Sequence, residues 1–483
     1  MVHFSAHPVV KIGVRSTARF CDAKAGEVTG KSALRVGLGS KSIYDTKVAA
    51  HAAVTKAAKS GRVSVMLPRP LLAANDAHTT EALIMGNKNF QKMPTYPYKN
   101  SGTGQLAIER TVTNMGLGMY EFTRFKKAKR TTPTAEIILP AKYTASGPQA
   151  VSIGNTIAGC VADARNLGNL RQDEGIPKVL DEWARKEVGG LPGVTIRHSI
   201  HGAGIRDAGM KLFWAVGKGA KHPPALTILE YIGDKSSPTT TALVGKGVTF
   251  DSGGLNVKPF GSMETMHQDK MGAMATLCAF KAIAQLKLPI NVVLAAGFAE
   301  NAIGSYSYHP SVILRSLKGP TVEILNTDAE GRLILADVMT YVQNKAKLGK
   351  KVDTIIDVAT LTGAMVMALG EKRAGVFGND PATIARLIQA GSRVGEPLWP
   401  MPIGPEHSKG VEGNLSDLVN VSNRKNGGGA CTAAAFLNNF VEPSVKWAHM
   451  DIAGPGCGGK ANGVLPDGAP GFGVQTLVDY FRI

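Results

Sequence analysis

Two acidic clusters, far apart in the chain and each set behind a short apolar run, constrain this sequence more than any other feature. The first is Gly245-Lys246-Gly247-Val248-Thr249-Phe250-Asp251-Ser252-Gly253-Gly254, followed by Lys258 and Asp269. The second, Asn326-Thr327-Asp328-Ala329-Glu330-Gly331-Arg332-Leu333, follows Val322-Glu323-Ile324-Leu325 and sets two carboxylates and a guanidinium within five positions. Taken singly, each acid would be a surface residue in a salt bridge or a cap. Gathered in one pocket, Asp251, Asp269, Asp328 and Glu330 repel one another unless cations neutralise them, so two divalent ions are the economical reading. Oxygen donors suit magnesium or manganese and zinc accepts them too, which leaves the metal open. Lys246 can ligate only as a neutral amine, a form that a neighbouring dication favours by lowering its pKa. Lys258, beside Pro259, can stay charged and face a substrate carbonyl. As isolated residues both lysines would be solvated.

The surrounding pattern predicts the fold. Short apolar runs at 241–244, 291–296, 322–325 and 354–358 read as strands, and 271–286 reads as a helix with Met271, Met274, Ala275, Cys278 and Ala282 on one face. Those sulfur-bearing residues are therefore core, not ligands. Strands alternating with helices predict an open sheet flanked by helices, whose sites form at the carboxyl ends of strands. Both acidic clusters stand at such places. Toward the N-terminus, runs at 9–14, 63–67 and 135–139 read as strands and 46–59 as a helix, a second α/β part. Residues 140–148 have loop composition and 150–165 reads as a helix. The expected division is an N-terminal α/β domain over 1–148, a linker helix over 149–170 and a catalytic domain over 171–483.

Charge separates the same two parts. Residues 1–150 hold 22 Lys and Arg against 8 Asp and Glu, leaving 33 against 29 in the rest, so the N-terminal part carries most of the net charge of +18. Its densest run is Arg124-Phe125-Lys126-Lys127-Ala128-Lys129-Arg130. Such a run attracts nucleic acid or another polyanion, or serves as an import signal, but a solvated face explains it more simply. Five cysteines without C-x-x-C spacing suggest neither a disulfide framework nor a zinc finger and fit a reducing compartment. No apolar stretch approaches the roughly 20 residues of a membrane span. The first twenty residues carry Lys11, Arg15 and Arg19 and no acid, as mitochondrial transit peptides do, although the run at 9–14 favours a strand. A cytoplasmic protein is expected, with a mitochondrial location as the alternative.

The motifs together resemble those of the leucyl (cytosol) aminopeptidase family of dinuclear metallo-exopeptidases. The likeness rests on Leu243 to Gly254, Asn326 to Leu333, Asp357 to Ala364, Thr432 to Leu437 and Trp447 to Gly454, covers residues 150–483, and is weak before them. It implies a macro-like N-terminal domain and a catalytic domain with a central mixed sheet. It implies one metal on Asp251, Asp328 and Glu330 and the other on Lys246, Asp251, Asp269 and Glu330, zinc or manganese in each place. A hydroxide shared by the two ions would attack the scissile carbonyl of a peptide whose free α-amine is also bound, which limits cleavage to N-terminal residues. The resemblance makes Lys258 the electrophile and Arg332 the holder of a bicarbonate that relays a proton. It assigns the side-chain pocket to Met266, Thr360, Gly363 and Ala453, the Leu361 carbonyl to the substrate amine or amide, and the assembly to a homohexamer. Such an apolar pocket favours leucine with modest discrimination. A nucleic-acid-binding or structural role on the same scaffold is the other expectation, drawn from the basic N-terminal part.

Departures from that pattern fall at Lys270 and His267 around Asp269, either of which can change pocket polarity or metal preference, and at Gly468 to Gly473. His198 and His201 stand three apart without H-E-x-x-H, so structural or exposed roles are expected, and His449 is expected to be packed. Val36 to Ser42 lacks the leading glycine of a phosphate loop.

Overall fold

The computed structural model describes residues 10–13, 28–29, 35–36, 62–66, 103–127, 134–138, 145–422, 427–458 and 466–483. Near the N-terminus, Val10–Gly13, Thr134–Ile138 and Arg62–Met66 form a three-stranded sheet with both pairings parallel. Parallel neighbours need crossovers, as the expected α/β character requires. The helix expected at 46–59 lies outside the described residues.

The main body is an eight-stranded mixed sheet. Its strands in chain order are β1 (Val194–His201), β2 (Ala225–Ile232), β3 (Thr241–Asp251), β4 (Asn291–Asn301), β5 (Thr354–Ala359), β6 (Ala374–Gly378), β7 (Leu398–Pro400) and β8 (Lys446–Asp451). The order across the sheet is β7-β6-β8-β5-β3-β4-β2-β1. The central four, β8, β5, β3 and β4, run parallel, while β2 and β6 pair antiparallel with their central neighbours. Nearly every residue of those four is buried, as expected for strands covered on both faces.

Helices supply the two cores. Helices α1 (Thr103–Gly118) and α2 (Gly147–Asn169) pack on each other, and α2 lies against α3 (Met271–Gln285) on one face of the sheet. Met271, Met274 and Cys278 are wholly buried there, as the helical spacing predicts. The other face is covered by α4 (Gly331–Asn344), and there Ala242, Val244 and Val293 meet Leu333, Ile334 and Val338. Glu109 of α1 and Arg482 form a buried two-pronged pair at 2.5 and 2.8 Å, fastening α1 to the chain's last turn.

One strand differs from expectation. Thr321–Glu323, overlapping the run 322–325, does not join the central sheet but forms a small one with Ile313–Arg315 and Leu418–Val419. An apolar run signals a strand without naming its neighbours, and here Asp417 accepts from Thr321 N and its hydroxyl and holds the strand in the smaller sheet.

Candidate metal centre

Four parallel strands end side by side, and their last residues build the site. Asp251 closes β3 opposite Asn301 of β4, and Ala359 of β5 stands opposite Asp451 of β8. Lys246 and Asp251 are five apart, so in an unbroken strand they would point to opposite faces. A bulge between Val248 and Phe250 restores the parity and turns both to one side. Asp251 Oδ1 then accepts from Gly253 N at 2.9 Å and from Asn301 Nδ2 at 2.8 Å, which leaves its other oxygen for the pocket.

The second cluster enters from the smaller sheet. Asn326 Oδ1 accepts from Asp328 N at 2.8 Å, an Asx turn that swings the chain into α4. Asn420 grips the same turn, accepting from Leu325 N at 2.8 Å and donating to Asn326 O at 2.6 Å. Glu330 stands at the N-terminus of α4, where the helix dipole favours negative charge. Gly331 follows because nothing larger fits: a Cβ there would lie 2.5 Å from Lys246 Cε.

Two lysines occupy the space between the acids. Lys246 Nζ lies 2.8 Å from Asp269 Oδ2 and 2.9 Å from Glu330 Oε1, and donates to Thr360 O at 2.8 Å. Lys258 Nζ lies 2.7 Å from Asp251 Oδ2 and 2.6 Å from Asp328 Oδ1. Lys246 also donates to Asp269 Oδ1 at 2.9 Å, but Asp269 Oδ2, Asp328 Oδ1 and Glu330 Oε1 are buried and meet the ammonium groups as ion pairs without a properly angled hydrogen bond. Native proteins seldom leave such atoms unmet. Asp251, Asp328 and Glu330 also bring one carboxylate oxygen each within 4.8 Å of one another. Hard, converging oxygens met only by ammonium charge fit divalent cations, which accept carboxylates on any lone pair.

Electrostatics agree with that fit. Burial, reinforced by Asp251, pushes Glu330 up to about 8. Burial likewise takes Asp269 to about 6 against the pull of Lys246, and it raises Asp328, with Asp251 adding to the effect. Burial opposes the charge of Lys246, yet Asp269, Glu330 and Asp251 outweigh it and hold the ammonium well above the usual lysine range. Lys258 is raised in the same way, with Asp251 and Glu330 prevailing over burial. Without cations, the two ammonium groups partly stand in for them.

Two of the remaining expected residues adjoin Asp269. Thr360 donates to Asp269 Oδ1 at 2.8 Å, and Met266 begins the turn that ends at Asp269. Leu361 and Ala453 are joined through Asp451, whose Oδ1 accepts from their amides at 3.1 and 3.2 Å while Oδ2 accepts from the Thr362 hydroxyl at 2.7 Å. Gly363 starts the next short helix and is exposed. Arg332 is buried and donates through Nη1 to Asn420 O at 2.7 Å, while its Nε has no partner. Burial lowers it to about 10 although Glu330 and Asp451 favour the charge.

Lys270 is fully buried, donating to Leu170 O and His267 O, and burial with Arg171 lowers it to about 7. His267 faces the Arg171 guanidinium, with Nδ1 at 2.9 Å. His449 is packed as expected, between Phe377 and Trp447, with Nδ1 2.6 Å from Asp357. His198 bonds Ala346 O and His201 bonds Asp181, both structural. Sequence reasoning missed Asn301, Asn420 and Asp451 as supports. Asp451 lies inside a quoted motif, but a carboxylate that accepts only from amides and a hydroxyl has no spacing signature.

The cytosol aminopeptidase family catalytic domain matches residues 162–478. A probable cytosol aminopeptidase of Roseiflexus castenholzii is 38% identical over 374 residues, covering 76% of this chain and 74% of the relative. One of Rickettsia felis is 33% identical over 440 residues, covering 88% and 86%. Among solved structures, "Bottromycin maturation enzyme BotP in complex with Mn" aligns with a TM-score of 0.81 and 29% identity over 99% of both chains. The chain belongs to the cytosol aminopeptidase family and is a peptide hydrolase of the aminopeptidase type.

Proposed function

We propose that the enzyme removes leucine and similar apolar residues from peptide N-termini, using two divalent cations held by Lys246, Asp251, Asp269, Asp328 and Glu330. The observation that carries this reading is the convergence of buried carboxylate oxygens on Asp269, Asp328 and Glu330 that meet only lysine ammonium charge, without a properly angled hydrogen bond. When bound, such a pair of ions lowers the pKa of a shared water to yield a hydroxide nucleophile and polarises the scissile carbonyl. The family resemblance supports Asp251 and Glu330 as the acids that would serve both ions.

The chain's own residues supply the rest. Lys258, charged and held over Asp251 and Asp328, stabilises the oxygen that gains charge as the carbonyl is attacked. Arg332 offers an unpaired, buried Nε–H, which supports the retention of an anion such as bicarbonate as proton relay. Thr360, Met266, Gly363 and Ala453 enclose the substrate's first side chain, and Leu361 O accepts from its amine. Asp451 fixes the backbone of that wall. Manganese or zinc suits the mixed nitrogen and oxygen donors, and the Mn in the BotP structure supports manganese. A homohexamer in the cytoplasm completes the reading, and the free state of the four described cysteines is compatible with a reducing compartment. Among the described residues, no helix is long and apolar enough to cross a membrane.

A polyanion site on the basic N-terminal part is a separate reading, carried by charge alone. Arg124 lies 2.5 Å from Glu174 and Lys126 3.4 Å from Glu121, while Ala128, Lys129 and Arg130 lie outside the described residues. Salt-sensitive DNA binding, weakened by neutralising Lys126 and Lys127, supports it, and no binding at low salt removes it.

The aminopeptidase reading is tested with chelator-stripped protein on leucine amide and its N-acetylated counterpart, before and after adding manganese, zinc, cobalt or magnesium. Cleavage restored by metal, on the free amine only, is the expected result. Equal cleavage of the acetylated substrate would overturn the exopeptidase assignment.

A further inference from the structure

Helix α2 ends at Asn169, and the four residues from there to Gln172 reach three strips of chain around the metal centre. Asn169 Oδ1 accepts from Ala469 N at 2.8 Å. Leu170 O accepts from Lys270 Nζ at 3.0 Å, and the Arg171 guanidinium donates to His267 Nδ1 at 2.9 Å. Gln172 Nε2 donates to Glu300 Oε1 at 2.7 Å, one residue before the Asn301 that holds Asp251.

Two of these contacts converge on the turn that ends in Asp269. Met266–Gln268 is a single 3₁₀ turn with no side-chain cap, closed by Asp269 N donating to Met266 O at 3.2 Å. So short a 3₁₀ segment has strained hydrogen bonds and little stability of its own. Lys270 supplies an outside brace. It is fully buried, and its ammonium bridges Leu170 O, at the cap of α2, and His267 O, inside the turn. The C-terminal end of a helix favours a cation at that place. Burying an ammonium is nevertheless costly, and a methionine would fill the same space, so the two carbonyls it joins are the reason for a lysine there.

Resting on the aminopeptidase reading and its two ions, we propose that Lys270, seconded by Arg171, is a positioning residue for Asp269. It locks the turn at 266–269 to the end of α2 and so sets the affinity of the one ion that Asp269 serves. Asp328, which belongs to the other ion, is placed by Asn326 and Asn420 and shares none of these contacts. The effect therefore falls on one ion of the pair. Outer partners that orient a ligand change metal affinity by about 10- to 100-fold.

The test titrates manganese into the chelator-stripped full chain by isothermal calorimetry, in the wild type, Lys270→Met, Arg171→Met and Asp269→Asn. Asp269→Asn removes the ligand and identifies the binding step that belongs to its ion. The expected result is that Lys270→Met weakens that same step about tenfold and leaves the other step unchanged. Activity on leucine amide lost at limiting manganese should return in excess, a rescue that a misfolded variant would not show. Arg171 is exposed, so Arg171→Met leaves the core intact and should weaken the same step about threefold, the scale of one hydrogen bond. A tighter step in Lys270→Met, the outcome if its charge merely repelled the ion, overturns the inference, as does an unchanged step or equal weakening of both. Each of those results leaves the aminopeptidase reading standing. If Lys270→Met fails to fold, an unchanged step in Arg171→Met overturns the inference and a weakened one supports it. No manganese bound by the wild type overturns the two-ion reading and this inference with it.

Discussion

Lys246 and Lys258 are both flanked by two carboxylates, yet they sit in opposite kinds of structure. Lys246 rises from the middle of a buried strand, is roofed by the first turn of α4, and has a side chain 3% exposed. Lys258 hangs from a loop whose neighbouring residues are exposed, with a side chain 13% exposed. On the proposed reading, the contrast separates a rigid ligand from a group that has to meet a substrate. A ligating nitrogen gains from a fixed position in a sealed wall, whereas a lysine that stabilises developing charge must reach the space where substrate enters.

The comparison breaks most visibly if the two lysines are exchanged for methionine. Lys246→Met leaves Asp269 and Glu330 buried without their cation, a defect worth roughly 3–5 kcal/mol, so the metal-free protein should melt well below the wild type. Lys258→Met removes a less buried contact, shared with an Asp328 side chain 29% exposed, and should cost less stability than Lys246→Met, yet lower kcat by about 10²–10³. Calorimetry and turnover on leucine amide separate the two. Similar melting temperatures would erase the proposed difference.

Next in size is the response to pH. In the metal-free protein Glu330 at about 8 and Asp269 at about 6 lie above their unfolded values. Their protonated forms therefore favour the folded state, a contribution complete in acid that falls away as pH rises toward 8. Cations bind the deprotonated acids, and Lys246 must also give up a proton to ligate. The rise in melting temperature on adding manganese should therefore grow from pH 5 to pH 8, as differential scanning fluorimetry will report. A rise that shrinks over this range contradicts proton–metal exchange at the site.

Smaller effects sharpen the account of the walls. Asp451→Asn weakens the grip on the Leu361, Thr362 and Ala453 segment and should raise KM about tenfold with little loss of bound metal, given the ~1 kcal/mol of each hydrogen bond. Met266→Ala should change the preference for leucine over alanine by tenfold or less, since one methylene is worth about 1–3 kcal/mol. Metal loss in Asp451→Asn would move Asp451 from supporting the pocket wall to supporting the metal ligands.

The acids and lysines of this centre could be read from the chain because each stands at the end of an apolar run, where an open α/β sheet places its sites. Helix α3 was equally plain, since Met271, Met274 and Cys278 repeat at helical spacing. The bulge at Thr249 was not, because one inserted residue has no compositional mark, although it alone makes Lys246 and Asp251 converge. Nor was the membership of Thr321–Glu323 in a separate sheet, because alternation predicts strands and not their neighbours. Asn420 was invisible for a related reason: it holds Asn326 across a separation that only the folded chain closes.

The most direct test of the central claim is a count of bound metal per chain, by elemental mass spectrometry, in wild type, Lys246→Met and Lys258→Met after manganese or zinc loading and desalting. The account predicts two ions in the wild type, a deficit in Lys246→Met, and two again in Lys258→Met despite its lost activity. Equal deficits in both variants would contradict the separation of ligand from electrophile on which the account rests.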